Sequence, residues 1–242
     1  MRRVTVLGSC AAWPEPGRAC SGFLVEYDGF RVVLDLGFGT LPRLLAHCPG
    51  GTVDAVVVTH AHSDHCVDLN GLLRVRHYGD DDPERIPLLC PDEVATLVDS
   101  LEPEPRLAEL FDVRGLPGEH RVGPFRLTGL PVPHHVPAVG VRLVAPGLTV
   151  AYTGDTGPHE NLAELGDRAD LFVVEATHQG EQVSEHLLCA REAGRWATRA
   201  GARRPLLTHF WPDADRAVSV AQAAETYAGE LLAAEEGLGI EL

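Results

Sequence analysis

A chain of 242 residues, 45% of them hydrophobic, can bury a substantial core, and no stretch approaches the roughly 20 apolar residues that span a bilayer, which argues against a membrane protein. The 35 acidic against 20 basic side chains leave a net charge of −15, which repels polyanions and excludes a general nucleic-acid footprint. Six cysteines, Cys10, Cys20, Cys48, Cys66, Cys90 and Cys189, lie scattered without a C-x-x-C pair; neither a disulfide framework nor a thiolate zinc site is expected, and each reads as a small buried apolar residue.

In chain order, the opening MRRVTVLGSC has an apolar run too short for a signal peptide, so a soluble, cytoplasmic protein is expected. Apolar runs bounded by Gly, Pro and Asp predict strands over 4–7, 22–27, 31–34 and 55–58, with a helix near 41–47. Helical spacing follows over 69–76, a buried strand over 87–89, and a helix from Pro91 to Ser100. Strands are predicted again over 125–130, 139–144, 148–152 and 171–174, then a helix over 185–199, a last core strand over 203–208 and an Ala/Glu-rich helical tail over 217–236. No repeat or long linker interrupts this series, so one domain over 1–242 is expected, an α/β or α+β layered sandwich.

The chemistry collects at strand ends. The segment AVVVTHAHSDH leaves a buried strand at Thr59 and presents His60, His62, Asp64 and His65 within six residues, a density of zinc donors that core packing does not explain. One loop rarely closes a metal site, and three further strand ends carry suitable donors: the pair His134 and His135, Asp155 in VAYTGDTG, and His209 in LLTHF.

The order T-H-x-H-x-D-H, His, Gly-Asp-Thr, Thr-His resembles the metallo-β-lactamase superfamily over nearly the whole chain, and within it ribonuclease Z and its relatives. LGSCAAWPEPGRACSG and LDLGFGT are similar to that group's front loop and its Asp-x-Gly-x-Gly-Thr. The resemblance implies the four-layer αββα sandwich and a dinuclear zinc hydrolase, with Mn²⁺ or Fe as alternative metals. His60, His62 and one histidine of the pair would bind one ion, Asp64, His65 and His209 the other, Asp155 would bridge them, and Asp35 would stand behind the ligands. A hydroxide shared by the metals would attack in line while the metals stabilise phosphoryl charge. In the family the ligand histidine lies six residues ahead of the glycine in Gly-Tyr-Arg; with Gly140-Val-Arg142 that spacing selects His134, and side-chain alternation on an extended segment turns His135 away.

By the same resemblance Glu175, in VEATH, would orient His186 as general acid, with His178 as a competing candidate and Asp64 counted with the catalytic groups. The family's tRNA-gripping arm has no room, because twelve residues separate Arg142 from Asp155. A small or nucleotide-like phosphodiester is therefore the expected substrate, without extended nucleic acid or membrane as partner, and a homodimer is compatible with the chain. A tRNA 3′-processing endonuclease and an ester or lactone hydrolase are the alternatives. Arg74, Arg76 and His77, beside Tyr78, are candidate substrate contacts together with His135 and His178.

Overall fold

The computed structural model describes all residues except Asp80 and Asp82. Its contacts divide into two compact units, 1–116 with 236–241, and 117–235.

The first unit runs β1 (Arg2–Gly8), β2 (Gly22–Tyr27), β3 (Phe30–Leu34), α1 (Thr40–His47), β4 (Ala55–Val57), α2 (Ser63–Cys66), α3 (Asp68–Gly79), β5 (Ile86–Cys90), α4 (Asp92–Ser100), α5 (Leu107–Leu110) and β6 (Phe111–Gly115). In its sheet β1, β2 and β3 pair antiparallel, and β3, β4, β5 and β6 continue in parallel. The strand Gly239–Glu241 returns to pair antiparallel with β1. Continuous apolar runs such as Ala55–Val57 are buried on both faces, as parallel strands require. Leu24, Val33, Val56 and Leu88 of the strands pack with Leu44, Leu69, Leu72 and Val94 of the helices into one core.

The second unit runs β7 (Gly118–Val122), β8 (Phe125–Val132), β9 (Ala138–Ala145), β10 (Leu148–Tyr152), α6 (Asn161–Gly166), β11 (Leu171–Glu175), α7 (Ala190–Ala200), β12 (Pro205–Thr208), α8 (Arg216–Ala224) and β13 (Leu232–Ala233); the returning strand Gly239–Glu241 of the first unit is β14. Its sheet has the order β7 to β13, antiparallel from β7 to β10 and parallel from β10 to β13. Each unit therefore carries the same strand pattern. Helix α7 buries Ala190, Ala193, Gly194, Ala197 and Ala200, an i, i+3, i+4 stripe of small residues. A Cβ on Gly194 would lie 2.3 Å from the Ala223 carbonyl of α8, so the two helices cross at backbone distance.

Two expectations change. The helix predicted from residue 185 starts at Ala190, because Ser184 Oγ accepts from the His186 and Leu187 amides and Gln182 bonds the Leu187 carbonyl and the Cys189 amide, holding 184–189 as a loop. The helical tail stops at Ala224 and yields to two strands, so 205–208 is not the last. Beyond it Thr226 Oγ1 donates to the Arg191 carbonyl and Tyr227 Oη bonds the carbonyls of Ala202 and Arg203, tertiary bonds that take over from the helix.

Candidate functional site

In both units the polar cluster sits where parallel strands end, the position at which backbone leaves a sheet and loops can carry donors. Within the first unit Asp35 directly follows β3 in a left-handed conformation (φ 58°) and is fully buried. Its Oδ1 accepts from the Thr59 amide at 2.8 Å; its Oδ2 accepts from Thr59 Oγ1 at 2.9 Å and from His65 Nδ1 at 2.7 Å. Having given its proton to Asp35, the Thr59 hydroxyl accepts from His60 Nδ1 at 3.0 Å. This assigns the proton of both imidazoles to Nδ1 and leaves each Nε2 lone pair for a cation. His62 Nδ1 stands 3.2 Å from His60 Nε2, close to the roughly 3.4 Å edge of a tetrahedron with bonds of about 2.0–2.1 Å.

Asp64 lies on α2, where its Oδ2 accepts from the Ala12 amide at 2.8 Å and stands 3.7 Å from His65 Nε2. A Cβ on Gly37 would fall 1.8 Å from the Asp64 carbonyl, so only glycine lets the loop after β3 pass this close. Cys66, next to the histidines, donates to the His62 carbonyl at 3.2 Å, and burial pushes its thiol up to about 12. It is a neutral structural thiol, and all six cysteines are buried and unbridged.

The second unit repeats the device. His209 follows β12 with φ 55°, a strained conformation for a non-glycine residue. Its Nδ1 bonds Thr177 Oγ1 at 2.8 Å, and Thr177 Oγ1 bonds Glu175 Oε2 at 2.5 Å. With Glu175 ionised, the state that a cation held by Asp155 and His209 would favour, the protons run from His209 to Thr177 to Glu175, and His209 presents Nε2. His134 Nδ1 donates to the His186 carbonyl at 2.9 Å and likewise presents Nε2. Asp155 Oδ2 lies 3.2 Å from His209 Nε2 and 3.7 Å from His134 Nε2, so one carboxylate oxygen serves two imidazoles. Burial and the neighbouring Asp155 carboxylate push the Glu175 carboxyl up to about 8, opposed by His209, Thr177 and the Thr156 amide.

Thr59 and Thr177 are the site residues that sequence reasoning passed over. Their signal was present, a threonine directly before His60 and one directly after the Glu175-Ala176 pair, but a hydroxyl shows its role only when both partners are in place.

Other predicted residues fall differently. Glu175 makes no hydrogen bond to His186: its carboxylate is taken by the Thr156 amide and by the amide and hydroxyl of Thr177. The His186 ring instead packs on His135, centroids 4.4 Å apart, with its Nδ1 buried and unbonded. His134 and His135 lie in a bend between β8 and β9, not on an extended segment, so strand alternation is not what separates them. The His134 side chain is 2% exposed, whereas His135 is exposed. Arg76 is buried on α3 and donates to the carbonyls of Gly51 and Glu84. Arg74 pairs with Glu102 and stacks on Tyr78, and His77 is exposed. His178 is half-buried, and burial, followed by His209, holds its imidazole below the ordinary value, which suits a neutral ring better than a proton donor.

A family model described as a beta-lactamase superfamily domain matches residues 30–210. An uncharacterized protein of Mycobacterium leprae is 33% identical over 97% of this chain and 87% of its own length. A ribonuclease Z of Haloferax volcanii is 32% identical over 99% and 95% respectively. The crystal structure of the metallo-beta-lactamase fold protein YhfI from Bacillus subtilis covers 100% of both chains with a TM-score of 0.90 and 26% identity. Its sequence, named a probable metallo-hydrolase, aligns at 28% identity over 86% of each. Two mixed sheets with flanking helices are the fold that these proteins share with the chain.

Proposed function

The chain belongs to the β-lactamase superfamily, and on that premise we propose that it is a metal-dependent hydrolase with two zinc ions, acting on a small or nucleotide-like phosphodiester. The observation that carries this reading is the outer bonding of the histidines: His60, His65, His134 and His209 each anchor Nδ1 on a hydroxyl, carboxylate or carbonyl and present Nε2. Buried imidazoles whose only purpose was packing would not need one nitrogen fixed and the other left in the company of carboxylates. By the resemblance of the motifs, His60, His62 and His134 would hold one ion, Asp64, His65 and His209 the other, and Asp155 both. The all-N/O donor set suits zinc and also accepts Mn²⁺ or Fe.

Bound there, divalent cations supply Lewis-acid stabilisation of charge that builds on the phosphoryl oxygens. The chain's own residues do the rest. Asp35 and Glu175, each through a threonine, lock ring orientation; Asp64 is held by the Ala12 amide; and His186, braced by His135, delivers a proton to the leaving oxygen.

Relatives named ribonuclease Z support a second reading, a tRNA 3′-processing endonuclease. Size favours the first. The Haloferax ribonuclease Z aligns over 304 positions against a chain of 242 residues, a surplus this chain leaves unfilled, whereas YhfI aligns over 217. The net charge of −15 likewise repels a large polyanion at long range.

Zinc-loaded protein assayed on bis(p-nitrophenyl) phosphate, on a 3′-extended tRNA and on p-nitrophenyl acetate tests the proposal. Hydrolysis of the first alone is expected. Cleavage of the tRNA would favour the endonuclease, ester hydrolysis alone an acyl hydrolase, and no turnover by metal-loaded protein would end the phosphodiesterase reading.

A further inference from the structure

Beside the second cluster the surface opens into a cavity of about 290 Å³ lined by Thr177, His178, Gln179, Trp211, Pro212 and Asp213. Its two side walls are rings. The His178 imidazole and the Trp211 indole stand with centroids 6.3 Å apart and planes inclined by 34°. Trp211 is 43% exposed, unusual for the largest apolar side chain, and it follows His209 by two residues on the loop after β12. The inner wall is Thr177, whose hydroxyl bonds His209 Nδ1 at 2.8 Å, so the cavity shares a side chain with a proposed metal ligand.

We propose that this cavity is a stacking slot for the nucleobase of a small nucleoside phosphodiester, with His178 and Trp211 as its two faces. The inference rests on the phosphodiesterase reading above. A planar ring in contact with a ring on either side needs roughly 7 Å between them. The two centroids stand 6.3 Å apart with inclined planes, so entry of a base requires the half-exposed indole to swing outward. The volume lies at the bottom of the range for small-molecule pockets, about 300–1,000 Å³, and admits one ring system rather than a folded strand. Aromatic faces accept any base, because every base offers a π-face and the gain comes from stacking rather than from edge recognition. His178 suits the role as a neutral ring, since its half-buried position disfavours the charged form. Gln179 at the rim spends its amide protons on the Asp215 carbonyl and Ser219 Oγ, which fixes it as a wall and leaves discrimination to the rings.

The test compares two product-like ligands that differ only in the base, adenosine 5′-monophosphate and ribose 5-phosphate, titrated into zinc-loaded protein and followed by calorimetry and by indole fluorescence. The wild type should bind the nucleotide about tenfold more tightly and show quenching. Trp211→Ala should abolish the difference while leaving ribose 5-phosphate affinity in place, Trp211→Phe should retain most of it, and His178→Ala should reduce it. Equal binding of the two ligands by the wild type, or an undiminished preference in Trp211→Ala, would overturn the slot. Turnover of methyl p-nitrophenyl phosphate is read separately: if it persists when the base preference is absent, the inference fails and the hydrolase reading stands.

Discussion

Replacing Thr177 by valine removes one hydroxyl and keeps the shape, which isolates what that oxygen does. In the native protein it is bonded at 2.5 Å to Glu175 and at 2.8 Å to His209 Nδ1, in a site where Glu175 is fully buried and the His209 side chain is 5% exposed. Glu175 keeps the amides of Thr156 and Thr177, at 2.7 and 3.3 Å, so the carboxylate is not abandoned. His209 loses the bond that fixes its ring, and a buried polar group left unsatisfied costs about 1–3 kcal/mol. Loss of an outer partner of a metal-binding histidine typically weakens metal binding about 10- to 100-fold, the same energy range. Chelator-competition titration with zinc should therefore show one ion weakened by about that factor, with the other little changed. The melting temperature of metal-free protein should fall by about 2–4 °C per kcal/mol lost. Thr177→Ser restores the hydroxyl and should recover most of the affinity. Zinc affinity within twofold of wild type in Thr177→Val, or a serine variant as weak as the valine variant, would refute the relay.

Three further outcomes are expected. His134→Ala should lose one metal ion and most activity, while His135→Ala keeps both ions by elemental analysis; the reverse pattern would place the ligand one residue on. Arg76→Ala should destabilise the fold by about 2–3 kcal/mol in denaturant titration, since two backbone carbonyls lose a charged donor, without changing KM; a raised KM with unaltered stability would return Arg76 to the substrate. In chelator-treated protein Glu175 carries a carboxyl raised from 4.5 to about 8, so the folded chain holds a proton that the unfolded chain releases. Its stabilising contribution is complete below about pH 4.5 and is lost as pH rises through about 8. Melting temperature should decline over that window, and Glu175→Gln should flatten the decline; an identical slope in the variant would contradict the burial argument.

The four strands that sequence reading passed over, β6, β7, β13 and β14, share one property: each is the outermost strand of its sheet. Edge strands carry charge on their open side, as in FDVRG and GEHRV, and this breaks the apolar run or alternation by which inner strands are recognised. The helical tail failed for a related reason. Its Ala/Glu composition favours helix locally, but Tyr227 and Thr226 find partners in distant carbonyls and Leu232 pairs with Leu206. Local propensity was outweighed by contacts that composition does not encode.

The donors themselves were legible because they are local facts. A histidine or aspartate directly after a buried apolar run must lie at a sheet edge, and four such donors within AVVVTHAHSDH identify a ligand loop whatever the rest of the chain does. The sequence by itself determined the inner strands, the identity of the donors and the family to which they conform. Only the tertiary structure decided what those donors are bonded to: that Glu175 serves His209 through Thr177 and not His186, that Arg76 donates to two backbone carbonyls, and that His135 packs on a neighbouring ring. Such assignments depend on residues 2 to 52 positions apart meeting within about 3 Å, and a hydrogen bond of that length is fixed by how the chain packs, not by the spacing along it.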